Sequence, residues 1–276
     1  MIGQTMPELH ASFAPGQVLR VYGMRRSGNH ALINWIMRNS DHGRGLFLND
    51  CRHGADPVAT SKRVSVFEDG TEVDITGRYQ KLRHAGTQPF TVISYEDRMP
   101  PVAPKPLYAA PEMLVIIYRS FLHWAASLLR KIQGNEGYGP LDRNRIMGRA
   151  LSTYADMLNR VQNADVVPLC YDDWTADENY RLGALKRLDL PGTDLGLGPV
   201  QRYGGGSSFQ TDAAAATDLR TDGRSAEMAQ DHEYQMLLWT AARDTDFMDR
   251  LKVIFPADAK RLETLRDTAT AQVVLP

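Results

Sequence analysis

Arginine, serine and glycine follow the first apolar run of the chain in an order suited to binding a phosphate group. The stretch QVLRVYG (17–23) is typical of a strand, a helix is expected over 29–39, and MRRSG lies between them. Gly23 and Gly28 allow the backbone to turn tightly, so that successive N–H groups point inward. The helix N-terminus adds partial positive charge. The spacing therefore predicts an anion-binding turn.

The side chains of this turn decide which phosphate it suits. Arg25 and Arg26 bring full positive charges, and the Ser27 hydroxyl is a donor for a phosphate oxygen. Asn29 and His30 stand where a Walker A loop has Lys and Ser/Thr, the residues that reach a β/γ-phosphate and Mg²⁺. The pattern favours a nucleotide with a 5′-phosphate over a metal-bound triphosphate. Taken alone, a plain strand–turn–helix with solvated arginines explains the stretch equally well.

A second group of this kind follows the most apolar run of the chain. The stretch LVIIY (114–118) predicts a strand that is buried on both faces, and Arg119 stands at its carboxyl end. Ser127 follows eight residues later, inside a helix expected over 121–133. The planar guanidinium of Arg119 suits a phosphate, and Ser127 is expected on the helix face turned toward the loop. Two such elements at one sheet edge predict a ligand with phosphates at two places.

The elements that must position these residues alternate between strand and helix. Strands are expected at 17–23, 44–50, 89–96, 112–119 and 164–171, and helices at 29–39, 121–133, 143–163, about 175–189, 225–251 and 258–268. This alternation predicts an α/β fold, a three-layer α/β/α arrangement around a mostly parallel sheet. We expect one domain over 1–276, with either a long excursion or a small insert at 51–88. The Gly/Ser-rich loop within 198–224 is either a candidate lid or a disordered linker.

Three motifs together resemble the sulfotransferase family that uses 3′-phosphoadenosine 5′-phosphosulfate (PAPS). YGMRRSGNH resembles the family's 5′-phosphosulfate loop, and IIYRSFLHWAAS resembles its 3′-phosphate motif, an Arg with a Ser eight residues later. CYDDW (170–174) resembles its strand-end Tyr-Glu-Asp. The three motifs cover roughly residues 20–175. Two features depart from the family, since Asn29-His30 replaces Thr-Thr and RSFLH replaces an Arg-Asp-Pro opening.

The resemblance implies transfer of a sulfuryl group from PAPS to a hydroxyl of a carbohydrate or small metabolite. The product nucleotide would be adenosine 3′,5′-bisphosphate, and no metal is required. The residues that it assigns to the nucleotide are Arg25, Arg26, Ser27, Gly28, Asn29, His30, Arg119, Ser127 and Tyr171. Ser207 and Ser208 in the glycine-rich loop are further candidates. Arg220 and Arg224 either close over the nucleotide or are solvated arginines.

The general base is expected at the carboxyl end of the third strand, where the family has a His or a Glu. The sequence there is VISYEDRMP, and Glu96 is the first choice because it ends the strand directly. Asp97 is the second. Alternatively, one of the two carboxylates only pairs with Arg98 or Arg119.

The leaving phosphate needs a cation, and Arg26 occupies the family's Lys/Arg position. Arg25 is the neighbouring alternative, although a surface or substrate-facing role is favoured for it. Asp50 and His53 follow the second strand and are candidate acceptor contacts, or residues that orient the base. His30 is a further candidate contact, although a plain helix-start or loop role is favoured for a single histidine. His123, beside a tryptophan on a helix, is interpreted as structural.

The overall composition and net charge limit the kinds of partner that the protein is expected to bind. The 276 residues include 32 basic and 33 acidic side chains, a net charge of −1, which gives no basis for nucleic-acid or membrane-surface binding. No signal peptide or membrane-spanning run is expected, so a cytoplasmic location without membrane insertion is predicted. A homodimer is left open. The competing hypotheses are a P-loop nucleotide or small-molecule kinase and a non-catalytic nucleotide-binding domain.

Overall fold

A computed structural model gives the fold. It describes residues 14–77, 87–200, 209 and 223–272, without the side chains of 87–89 and 269–272. The strands are β1 (Ala14–Gly23), β2 (Gly45–Asn49), β3 (Arg63–Glu68), β4 (Thr71–Asp74), β5 (Thr87–Glu96), β6 (Glu112–Tyr118) and β7 (Val167–Cys170). The helices are α1 (Asn29–Arg38), α2 (Pro57–Thr60), α3 (Phe121–Gln133), α4 (Pro140–Arg160), α5 (Tyr171–Ala176), α6 (Glu178–Arg187), α7 (Arg224–Glu227), α8 (His232–Arg243), α9 (Thr245–Ile254) and α10 (Pro256–Gln272).

The strands form one sheet in the order β4-β3-β2-β5-β1-β6-β7. The five strands from β2 to β7 in that order are parallel, whereas β3 and β4 are antiparallel and extend one edge. Helices pack on both sheet faces, so the predicted α/β class with a mostly parallel central sheet is confirmed. That the chain forms one domain stays a prediction.

Side chains on the two faces of the sheet pack into two separate hydrophobic cores. Val18 and Tyr22 of β1 face the core that α3, α4 and the C-terminal helices cover. Leu19 and Val21 point to the opposite face, which α1 and α6 cover. Apolar residues on both faces are expected of a central parallel strand, because helices cover it from both sides. Both cores hold β1 rigidly, and β1 leads directly into the anion-binding turn.

Several predicted segments differ in detail from the observed elements. The strand expected over 164–171 is shortened to β7, and the helix expected at about 175–189 is observed as α5 and α6. The excursion at 51–88 supplies α2, β3 and β4, which the sequence left unassigned. The helical pattern at 225–251 is divided into α7, α8 and α9. The side chain of Asp231 accepts a hydrogen bond from the Tyr234 N–H and that of Asp244 accepts one from the Phe247 N–H, so each aspartate starts a new helix.

The helices give no sign of a membrane span. In the part of the chain that the structure describes, none is both long and apolar enough to cross a bilayer. The cytoplasmic location stays a prediction.

Candidate active site

The predicted residues meet where the order of the parallel strands reverses. From β1 the chain goes first to β2 and β5 on one side, and then to β6 and β7 on the other. Gly23, the last residue of β1, pairs with Glu96 at the end of β5 and with Ile117 near the end of β6. In open α/β sheets, ligands bind outside the carboxyl ends of the strands at such a reversal.

The turn after β1 has a constrained backbone. Gly28 precedes α1 with φ 88°, and a Cβ atom there would overlap the ring of Tyr171. Arg26 also has a positive φ of 71°, an uncommon conformation for a residue with a side chain. Backbone strain of this kind is concentrated at functional sites. The buried Ser27 hydroxyl makes no hydrogen bond to any residue that the structure describes.

Asn29 lies inside the turn. Its amide Nδ2 donates to the Met24 carbonyl at 3.2 Å, and a Cβ atom on Gly23 would overlap its Oδ1. The side chain is buried and helps to hold the turn closed. The predicted contact between Asn29 and the nucleotide stays a prediction, but the structure gives this residue a second role in shaping the loop.

Gly28→Ala is expected to lower the free energy of unfolding by about 1–3 kcal/mol, because the new methyl group meets both a positive φ and the Tyr171 ring. Urea denaturation measures the loss. Gly54→Ala is the matched control, since Gly54 has φ 77° and nothing within 4 Å of its added Cβ. Equal losses in the two variants would contradict a constraint from Tyr171.

Two arginines converge on the hydroxyl of Ser127. The Arg26 Nε atom lies 3.4 Å from Ser127 Oγ, and the Arg224 Nη1 atom lies 3.2 Å from the same oxygen. Ser127 is fully buried on α3 and Arg224 is 5% exposed. Arg224 is therefore a buried residue of this site, not a solvated arginine. This convergence joins the turn after β1 to the start of α7.

Arg119 completes this group from the end of β6. It is 1% exposed, and its guanidinium carbon lies 5.0 Å from the centre of the Tyr171 ring. Its Nε atom is 3.4 Å from Asp172 Oδ1. We call Arg26, Arg119, Arg224 and Ser127 the arginine cluster. Tyr171 touches both Gly28 of the turn and Arg119 of the cluster, which fixes the two predicted anion elements relative to each other.

Burial and mutual repulsion disfavour the positive charges of the cluster. The pKa of Arg224 falls to about 9, first because burial removes water and then because the Arg119 guanidinium repels it. The pKa of Arg26 is lowered by burial and by Arg119 in the same way. An anion bound among these arginines would offset both effects, so the electrostatics favour a phosphate or sulfate ligand.

Carboxylates occupy the other side of the turn. Glu96 ends β5, and burial, followed by the negative charges of Asp50 and Asp97, raises its pKa to about 7. A carboxyl group with a pKa near neutrality is suited to general-base catalysis. The charge of Glu96 also raises the pKa of Arg26, which places the carboxylate within electrostatic reach of the cluster.

Asp97 pairs with a residue other than Arg98 or Arg119. It accepts a hydrogen bond from the Arg25 N–H at 2.8 Å and forms an ion pair with the Arg25 guanidinium. The Arg25 side chain is largely exposed. This pairing, rather than one with Arg98 or Arg119, ties Asp97 to the turn and favours Glu96 as the base.

The second carboxylate beside Glu96 is also paired. Asp50 forms an ion pair with Lys62 and its Oδ1 atom lies 3.4 Å from the Glu96 N–H. His53 is exposed, and its ring lies against Tyr95 with ring centres 5.7 Å apart. His30 reaches Glu96, with 3.7 Å between Nε2 and Oε1. The structure thus brings Asp50 and His30 to Glu96, whereas the described contacts of His53 are with Tyr95 and Tyr22.

Several predicted residues lie in the part of the chain that the structure does not describe. Ser207, Ser208 and Arg220 lie outside the described residues, as does most of the candidate lid. Within the described residues, no three His, Cys, Asp or Glu side chains are arranged to hold a metal ion, and the absence of a metal requirement stays a prediction. His123 stays interpreted as structural.

Comparisons of the chain with models of protein families, with curated proteins and with solved structures found no match. The fold and site define an α/β protein with a largely buried arginine cluster and an adjacent carboxylate at the strand-order reversal. The likeness to sulfotransferases rests on the three motifs in the chain itself.

Proposed function

We propose that the protein is a sulfotransferase that uses PAPS and passes its sulfuryl group to an acceptor hydroxyl. The observation that carries this proposal is the convergence of Arg26 and Arg224 on Ser127, with Arg119 beside them. The buried guanidinium groups of Arg119 and Arg224 and the half-buried one of Arg26, at the carboxyl edge of a parallel sheet, suit a multiply charged anion.

Two anion elements at a fixed separation fit a ligand with phosphates at two positions. The turn before α1 offers backbone N–H groups, the Ser27 hydroxyl and the helix N-terminus to a 5′-phosphosulfate. Arg119, Ser127 and Arg224 are offered to a 3′-phosphate. Arg26 belongs both to the turn and to the arginine cluster, which suits it to the charge that develops on the leaving phosphate.

The transfer would follow an in-line path. Glu96 removes the acceptor hydroxyl proton, the acceptor oxygen forms a bond to sulfur, and the bond from sulfur to the phosphate oxygen breaks. The electron pair of the broken bond stays on adenosine 3′,5′-bisphosphate, where Arg26 and the turn stabilise it. Asp50 lies beside Glu96, and both Asp50 and His53 are proposed to contact the acceptor, a carbohydrate or a small metabolite.

Adenosine 3′,5′-bisphosphate is expected to raise the melting temperature of the protein without Mg²⁺, because it binds the folded state alone. Adenosine 5′-monophosphate, with one phosphate, is the matched control and should stabilise the protein less. Stabilisation by ATP with Mg²⁺ and not by the bisphosphate would overturn the proposal in favour of a kinase. Stabilisation by the bisphosphate with no sulfuryl transfer from PAPS to any of a panel of hydroxyl acceptors would favour a non-catalytic nucleotide-binding domain.

A further inference from the structure

His30 and Glu96 face each other from neighbouring parts of the fold. His30 is the second residue of α1, Glu96 is the last residue of β5, and Gly23 of β1 pairs directly with Glu96. The His30 Nε2 atom lies 3.7 Å from Glu96 Oε1, and the side chains are 20% and 18% exposed. The Phe47 ring packs against the imidazole in a T-shaped arrangement, with ring centres 6.3 Å apart.

Charged groups from several elements surround this pair. Those acting on Glu96 are Asp50, Asp97, Arg25 and Lys62, and those acting on His30 are Arg63, Arg26 and Asp50. Burial is the main cause that lowers the pKa of His30 to about 4, and the positive charges of Arg63 and Arg26 lower it further. The imidazole is therefore neutral at physiological pH, and Glu96 is the member of the pair that gains or loses a proton.

We infer that His30 is a positioning residue for the base, whose imidazole N–H holds one carboxylate oxygen of Glu96 so that the other faces the acceptor hydroxyl. This inference rests on the proposed function of Glu96. The distance of 3.7 Å is longer than a hydrogen bond, and such contacts often tighten when substrates bind. In this assignment His30 serves the acceptor side of the site rather than the phosphosulfate.

A neutral donor beside a carboxylate stabilises the ionised form and so lowers its pKa. Removal of the imidazole should therefore raise the pKa of Glu96 further. His30→Leu removes the donor and keeps the apolar contact with Phe47. His30→Gln is the conservative variant, because its amide supplies an N–H group near the position of Nε2.

The experiment follows the Glu96 carboxyl directly by carbon-13 NMR in ¹³C-glutamate-labelled protein, with the signal assigned from its loss in Glu96→Gln. His30→Leu is expected to raise the pKa of Glu96 by about 0.5–1, the equivalent of one lost hydrogen bond, and His30→Gln to keep it near the wild-type value. Circular dichroism checks that both variants are folded. An unchanged titration in His30→Leu would overturn the inference.

Enzyme kinetics and nucleotide binding supply the second readout. In His30→Leu we expect kcat to fall about tenfold, the acid limb of the pH profile to move up with Glu96, and the affinity for adenosine 3′,5′-bisphosphate to stay within about twofold. Loss of bisphosphate affinity with an unmoved acid limb would assign His30 to the donor instead. If the wild-type protein transfers no sulfuryl group, the proposed function fails, while the NMR titration still decides whether the pair exists.

Discussion

Glu96→Gln is expected to lower kcat by about 10²–10⁴-fold while the affinity for adenosine 3′,5′-bisphosphate changes by less than about twofold. Glutamine keeps the shape of the side chain but accepts no proton, so the variant removes the base alone. Steady-state kinetics with PAPS and an acceptor measures kcat, and calorimetry measures nucleotide binding. The exposed Glu136→Gln is the matched control and should leave both unchanged.

The pH dependence of the wild-type enzyme tests the same assignment. Because burial and neighbouring carboxylates raise the pKa of Glu96 to about 7, kcat/KM is expected to rise with pH through neutrality as Glu96 ionises. Survival of activity in Glu96→Gln together with its loss in Asp97→Asn would reassign the base to Asp97. The ion pair of Asp97 with Arg25 argues against that outcome.

The raised pKa also makes a prediction about stability. Ionising Glu96 is less favourable in the folded than in the unfolded chain, so its contribution to stability is present at acid pH and is lost as the pH rises through about 7. Glu96→Gln should thus melt at a higher temperature than the wild type at pH 8, with a smaller difference at pH 5. Glu136→Gln should show no such dependence on pH.

The elements that were predicted from the sequence are those with a strong local signal. The apolar run of β6 and the amphipathic pattern of α3 predicted both elements within about one residue. β3 and β4 lie in a polar segment without a clear period, and their pairing with β2 depends on the rest of the sheet. Strand order itself depends on contacts distant in sequence, which no local pattern encodes.

The residues of the site likewise include some that the sequence predicts and some that depend on contacts distant in sequence. The sequence predicts Arg119, Ser127 and Glu96 at one edge, because parallel strands end on the same side of a sheet. The pairing of Asp97 with Arg25 was not foreseen, since it depends on how closely the turn after β1 approaches the end of β5. Arg224 lies about 100 residues from its partner Ser127, and its only sequence signal was its charge.

Arg224→Met is expected to change stability and affinity in opposite directions. Because the pKa of Arg224 is lowered to about 9 by burial and by two neighbouring arginines, the folded chain disfavours its charge at neutral pH. Methionine fills a similar volume without the charge, so the unliganded variant should melt at a higher temperature than the wild type. Its affinity for adenosine 3′,5′-bisphosphate should fall by about 10–150-fold, the equivalent of a charge-assisted hydrogen bond of about 1.5–3 kcal/mol.

The opposite signs separate a binding residue from a structural one. If Arg224 served only to anchor α7 to Ser127, its replacement would lower the melting temperature and leave the bisphosphate affinity unchanged, and that result would contradict the arginine cluster as a phosphate site. Arg119→Met should share the loss of affinity, because it removes a second guanidinium from the same cluster. The exposed Arg149→Met is the matched control and should alter neither quantity. Both effects together, lower stability without the anion and higher stability with it, are the result expected of a residue that serves ligand binding.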